Sequence, residues 1–266
     1  MNTHTSRKNW CLLSGLLLAG LGATTAMTAA EFKEELHQTY PLTADGQISL
    51  DNINGAVRIT VWDRAEVKLD AVKRAKQKEH LEAVKIEIEA KPDRLQVQTK
   101  YPDSKSWFSG RRANSTSVDF TLTVPRAVRL KKVSAVNGTV EIEGVRGEID
   151  ASTVNGTLRA EGLAANAELS SVNGGLNASF VHLDGVKSVS LSTVNGRAEL
   201  TLPADANADL SASTVNGSIS GDIEVKKHWP IGREAKTRLG EGGTEIQLSS
   251  VNGGLRVHLA KAGEKD

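Results

Sequence analysis

Glu143 and Glu161 each fall six residues after the Asn of a Ser-x-Val-Asn-Gly motif, in two successive copies of it. If the copies stack, the two acids come side by side. Paired carboxylates on one face are the machinery of glycoside cleavage, one protonating the leaving oxygen and the other acting as base or nucleophile. The rest of that column reads Ser179, Thr201, Asp222 and His258, and the column two residues earlier reads Glu141, Arg159, Asn177, Glu199, Ser220 and Arg256. The signs are mixed, and no Arg cluster or sugar-stacking aromatic recurs at matching offsets. The first expectation is therefore a solvated face laced by ion pairs, with a carbohydrate-active enzyme as the alternative.

Other chemistry thins out quickly. The Ser column (Ser134, Ser152, Ser170, Ser192, Ser213, Ser249) has no His or carboxylate recurring beside it to activate an oxygen, so it reads as a hydroxyl ladder. His37, His80, His182, His228 and His258 show no metal-ligand spacing, and no Asp-x-Asp-x-Gly calcium loop occurs. No cofactor is implied. Gly240-Glu241-Gly242-Gly243 lacks the Lys-Ser/Thr of a phosphate loop and reads as a turn. The only cysteine, Cys11, lies in the first thirty residues, so a chain processed there has neither thiol nor disulfide. Two segments have partner-contact character. Trp107 and Phe108 beside Arg111 and Arg112 are hot-spot residue types within a polar loop, and 226–231 departs from the repeat register.

The elements that would position these residues come from the repeat. Asn137, Asn155, Asn173, Asn195, Asn216 and Asn252 are each followed by Gly138, Gly156, Gly174, Gly196, Gly217 and Gly253, at steps of 18, 18, 22, 21 and 36 residues. Asn54-Gly55 is a looser copy upstream. Apolar residues alternate with period two on both sides of each copy, as in Leu169 before Asn173 and Leu176 after it, so every unit is strand, turn, strand. Asn tolerates and Gly favours the left-handed conformation of a tight turn, and stacked Asn amides can bond from unit to unit. These fourteen Asn and Gly residues are accordingly assigned a structural turn role. Identical residues at identical offsets favour an all-β, right-handed parallel β-solenoid, in which each strand pairs with its counterpart one unit on. An antiparallel β-meander of Asn-Gly hairpins is the competing architecture.

Residues 31–125 read as a less regular β-rich capping region with one short helix within 76–83, residues 126–261 as the repeat stack, and 262–266 as a polar tail. Residues 1–30 read as a signal peptide: Arg7 and Lys8, then an apolar run too short to span a bilayer, then Thr28-Ala29-Ala30 before the cleavage site. The whole chain carries 33 basic and 32 acidic residues, and removing Arg7 and Lys8 leaves 31 basic residues. So balanced a charge invites neither nucleic acid nor an anionic membrane surface, and no stretch after residue 30 is long and apolar enough for stable membrane insertion.

With these residues in place, the chain resembles the bacterial putative-adhesin family of exported β-strand-repeat domains of unknown function. The likeness rests on Asp51-Asn52-Ile53-Asn54-Gly55-Ala56-Val57, on the Ser-x-Val-Asn-Gly copies, and on Leu239-Gly240-Glu241-Gly242-Gly243 before the last copy. It implies a periplasmic or secreted, non-enzymatic binding scaffold for an envelope protein or glycan, and supplies no catalytic residues.

Overall fold

The structure is a computed structural model that describes residues 31–102, 116–222 and 233–260. Residues 1–30, read above as a signal peptide, Trp107, Phe108, Arg111, Arg112, the 226–231 segment and the tail lie outside the described residues. In chain order the first elements are β1 (Phe32–Pro41), β2 (Gln47–Asn54), β3 (Val57–Trp62), β4 (Glu66–Ala75), α1 (Lys78–Ala83), β5 (Lys85–Lys91), β6 (Arg94–Lys100) and β7 (Ser117–Pro125). Next come β8 (Arg129–Asn137), β9 (Val140–Glu143), β10 (Ile149–Asn155), β11 (Leu158–Leu163), β12 (Ala167–Asn173), β13 (Leu176–Phe180), β14 (Ser188–Asn195) and β15 (Ala198–Leu202). The chain ends with β16 (Ala208–Asn216), β17 (Ile219–Gly221), β18 (Arg233–Leu239), β19 (Thr244–Asn252) and β20 (Leu255–Leu259). The described residues are all-β apart from α1.

Two ten-stranded sheets hold these strands, and neither closes on itself. Strands entering a Val-Asn-Gly turn go to one sheet and strands leaving it go to the other. The pairing is parallel and in register: Leu169 sits between Ala151 and Leu191, Ser170 between Ser152 and Ser192, and Asn173 between Asn155 and Asn195. The two arms of a repeat therefore do not pair with each other. Each Asn-Gly is a corner between sheets, and the antiparallel meander of hairpins is not what the chain forms. Alternation explains the layering, since β19 buries Thr244, Ile246, Leu248 and Ser250 and exposes the residues between them. The inward rows of both sheets meet in one aliphatic core containing Leu50, Val133, Leu158, Leu176, Leu200 and Val257. Burying each such side chain contributes about 1.5–3 kcal/mol.

The corner glycines have a reason beyond dihedral freedom. A Cβ on Gly156 would lie 2.0 Å from the carbonyl oxygen of Gly138, and one on Gly253 would lie 1.6 Å from that of Gly196. Of the seven, only Gly55 (φ 118°) and Gly174 (φ 152°) have positive φ. The expected left-handed turn is thus the minor cause. The main one is that successive corners stack backbone against backbone.

Chain order and spatial order part company at both ends. The sheet orders run β1-β4-β7-β3-β9 and β5-β6-β2-β8 at one end, and β15-β20-β17 and β14-β19-β16-β18 at the other. The last repeat, β19–β20, is thus inserted between its two predecessors, which accounts for the 36-residue step. The boundary expected near residue 125 falls where β3 pairs with β7 on one side and β9 on the other. Residues Glu31–Asp266 form one compact unit.

Antiparallel strands close the ends: β1 and β4 beyond β7, β5 beyond β6, and β18 beyond β16. Their exposed edges carry charge, as in Lys85, Glu87, Glu89 and Lys91 of β5, and β17 has three residues; both devices blunt edge-to-edge association. Helix α1 is too short to persist alone. Buried Lys73 holds its C-terminal end, donating from Nζ to the carbonyls of Leu81 (3.4 Å) and Val84 (3.2 Å) while pairing with Glu34 on β1 (2.7 Å).

Candidate functional site: an uncharged ridge along the stacked corners

In each strand that enters a corner, the residues two and four before the Asn face the core, so the residues one and three before it face out. The outward pair is Val and Ser in six repeats, and Ile53 with Asp51 in the upstream copy. The aliphatic members run in spatial order Ile53, Val136, Val154, Val172, Val194, Val251 and Val215, with 36% of Ile53 and 51% of Val215 exposed and the others between. With neighbouring strands ~4.8 Å apart, these seven side chains form a single file ~29 Å long.

Beside that file runs a continuous ladder of amides. Asn137 Nδ2 donates to Asn54 Oδ1 (2.8 Å), Asn155 to Asn137 (2.9 Å), Asn173 to Asn155 (3.0 Å), Asn195 to Asn173 (2.9 Å), Asn252 to Asn195 (2.9 Å) and Asn216 to Asn252 (3.1 Å). Each of the five interior amides uses one N–H and one oxygen lone pair along the ladder, while Asn54 at one end donates to Thr116 O (3.5 Å) and Asn216 at the other only donates into it. A second N–H and a second lone pair remain for solvent or a ligand. On the other side of the aliphatic file lies the Ser column, where Ser249 Oγ donates to Ser192 Oγ (3.2 Å) and Ser134 donates to Asp51.

Beneath the ridge, Thr153 and Thr214 donate to the carbonyls of Gly138 and Gly253 in neighbouring corners (3.2 and 3.1 Å). Asn52 closes the upstream corner, donating to Gly55 (3.1 Å) and Val118 (2.8 Å) while accepting from Thr99 (3.2 Å). These bonds tie neighbouring corners together, while Ser171, Thr193 and Ser250 of the same inward row are buried with their hydroxyl oxygens unpartnered. Val, Asn, Gly and Ser carry no charge, so the six Ser-x-Val-Asn-Gly motifs are neutral, whereas the upstream corner carries Asp51, paired with Lys132 (3.2 Å), and Arg197 follows Gly196.

The carboxylate pair lies elsewhere, on the outer face of the other sheet. Glu143 and Glu161 are direct register partners on β9 and β11. With Arg58, Thr60, Glu141 and Arg159 they line an open depression of about 340 Å³. Arg58 donates from Nε to Glu141 (2.8 Å), and Arg159 donates from Nε to Glu161 (2.5 Å). The acids are thus brought together, but Glu161 is engaged by a guanidinium across an open face. Among the described residues, no group of three or more His, Cys, Asp and Glu is placed to hold a metal ion. No described helix is long and apolar enough to cross a membrane. The Gly240–Gly243 segment is a turn over the start of β16, held by Glu241 N–H to Asn207 Oδ1 (2.8 Å) and Gly243 N–H to Asp209 Oδ2 (3.2 Å).

No family model matches the chain, and no curated protein matches it. Solved structures do. A putative cell adhesion protein from Clostridium sporogenes ATCC 15579 is similar over 87% of this chain and all of its own, at 13% identity and a TM-score of 0.52. The two share a fold. A putative adhesin from Bacteroides fragilis NCTC 9343 matches over 85% of this chain and 97% of its own at 14% identity, with a TM-score of 0.37 that falls short of a shared fold.

Proposed function

We propose that this protein is a non-enzymatic, adhesion-type scaffold of the cell envelope whose working surface is the corner ridge. Its two sheets act as the faces of a right-handed parallel β-solenoid that holds the ridge straight. One observation carries the reading. All seven ridge positions are Ile or Val although each is substantially exposed, whereas the exposed or half-exposed position two after each Asn varies freely through Ala56, Thr139, Thr157, Gly175, Arg197, Gly254 and Ser218. Stacking explains the repeated Asn and Gly. It does not explain why an outward position avoids Thr, which is close to Val in shape and costs nothing in water. An apolar row held in the open by a rigid frame is the signature of a contact surface. The fold shared with the putative cell adhesion protein from Clostridium sporogenes ATCC 15579 supports the same direction. Residues 1–30 act as the export signal and are removed, which places the scaffold in the periplasm or outside the cell.

The second reading is the carbohydrate-active enzyme, favoured by the depression that Glu143 and Glu161 share. A comparison of variants separates the two. Val154→Asp with Val194→Asp sets two charges on the ridge two repeats apart, and Glu143→Gln with Glu161→Gln removes the acids. Retention of the mature protein on isolated cell envelopes should fall with the ridge variant and stay at the wild-type level with the carboxylate variant. The opposite result gives the lead to the enzyme.

A further inference from the structure

We propose that the ridge is a track for an uncharged linear polysaccharide lying lengthwise across the stacked corners. This rests on the ridge being the working surface, and adds the class of partner that fits it. Three features select that class.

The first is size. The corner spans the ~10 Å between the two sheets and is ~29 Å long, about 300 Å² in all. A stable protein partner needs about 800 Å² on each side. The outward residues one and three before each Asn include no Trp, Tyr or Arg of the kind that anchors protein interfaces, and Arg197 stands singly after Gly196. A second copy of this chain, meeting corner to corner, would face the same deficit. The partner must be thin, and long enough to use the whole row.

The second is charge. The Val, Asn, Gly and Ser positions are uncharged in every Ser-x-Val-Asn-Gly copy, while the columns flanking them on the outer faces carry Glu141, Arg159, Asp150 and Glu168. Beside it Asp150 and Glu168 stand with Lys131 and Lys132, and Arg197 follows one corner, so a polyion of either sign meets like as well as opposite charge. A neutral chain meets no such cost.

The third is periodicity. Each of the six Ser-x-Val-Asn-Gly corners offers a branched methyl pair, an amide with donor and acceptor capacity left over, and a hydroxyl, repeated at the ~4.8 Å strand spacing. In its extended, ribbon-like form a linear neutral glycan presents C–H faces and hydroxyls in alternation, at a rise per sugar close to that spacing. Its hydroxyls can both donate to and accept from the Asn ladder while its C–H faces cover the valines. Affinity then accumulates over many weak, identical contacts without any single anchor, as in multivalent binding.

The test uses the mature chain from residue 31 against cellulose, curdlan, mannan, dextran and chitin, with alginate as the anionic control. Wild type should be retained on at least one neutral polymer, with little change between ~0.05 and ~0.5 M NaCl because no ion pairs are involved. Affinity for soluble oligomers of that polymer should rise with length and level off near six sugars, since six strand spacings make up the ~29 Å ridge. Val154→Asp with Val194→Asp should weaken retention by about tenfold or more at an unchanged melting temperature, and Glu143→Gln with Glu161→Gln should not weaken it. Retention on alginate alone, or none on any neutral polymer, overturns the polysaccharide. If the ridge variant still loses binding to whole envelopes in that case, the ridge stands and its partner is of another class. Envelope binding indifferent to the ridge variant overturns both.

Discussion

Gly156→Ala tests the stacking of corners with a single methyl group. The new Cβ would sit 2.0 Å from Gly138 O, whereas a close carbon–oxygen contact is ~3.3 Å, so the two corners must part by about 1.3 Å. That stretches the bond from Gly138 N–H to Asn155 O (3.1 Å) and the amide link from Asn155 to Asn137 (2.9 Å) beyond hydrogen-bonding range. Losing both costs about 1 kcal/mol each, and overpacking adds about 1–3 kcal/mol. The sum, about 3–5 kcal/mol, lowers the melting temperature by about 6–20 °C for a chain of this size. Two controls separate the causes. Gly175→Ala meets only an ordinary 3.8 Å contact with Thr157 and should change stability by under about 0.5 kcal/mol. Gly185→Ala, at φ 78° with nothing within 4 Å, should show dihedral strain alone, about 1–2 kcal/mol. Thermal unfolding of the three variants gives the order. Equal stabilities for Gly156→Ala and Gly175→Ala would refute close backbone stacking.

Lys73→Met keeps the aliphatic stem but orphans two helix-end carbonyls and Glu34; a loss of about 1–3 kcal/mol is expected, read as faster amide exchange confined to β1, α1 and β4. His37 donates to Asp70 Oδ1 (2.6 Å) and pairs with Glu35 (3.3 Å), and these two hydrogen bonds, Asp70 first, raise its pKa above the usual 6.5. A raised folded-state pKa stabilises below the unfolded value and loses that effect as pH climbs through the folded one. Protection factors along β1 should therefore be higher at pH 5.5 than at pH 8.5, and His37→Gln should remove the difference. The exported protein should have the intact mass of a chain that starts at Glu31; a mass retaining residues 1–30 contradicts the signal reading.

The sequence made the strands and their inward rows readable because each row repeats at a fixed distance from an Asn-Gly pair. Leu169 and Leu176 flank Asn173 as Leu191 and Ala198 flank Asn195, and parallel in-register stacking is the arrangement that sets like on like. The ridge was open to the same reasoning. If the residues two and four before Asn face in, Val154 and Val172 must face out, yet a Val in a strand invites assignment to the core. The cause of the invariant glycines was not legible, because proximity between Gly156 and Gly138 follows from how closely corners stack and not from local dihedral preference. Nor was the spatial order of the ends. β16 and β19 present the same register to β14, with Leu248 and Ala212 interchangeable beside Leu191, so nothing in the pattern says which repeat lies inside. What decides is the return of the chain through β18 and the Gly240–Gly243 turn, pinned by Asn207 and Asp209.

The central claim is that the ridge makes the contact, and hydroxyl-radical footprinting of the mature protein on isolated cell envelopes tests it directly. Contact through the ridge lowers oxidation of Val136, Val154, Val172 and Val194 on binding and leaves labelling around the Glu143–Glu161 depression unchanged. Protection of that depression with the valines still fully labelled would contradict it.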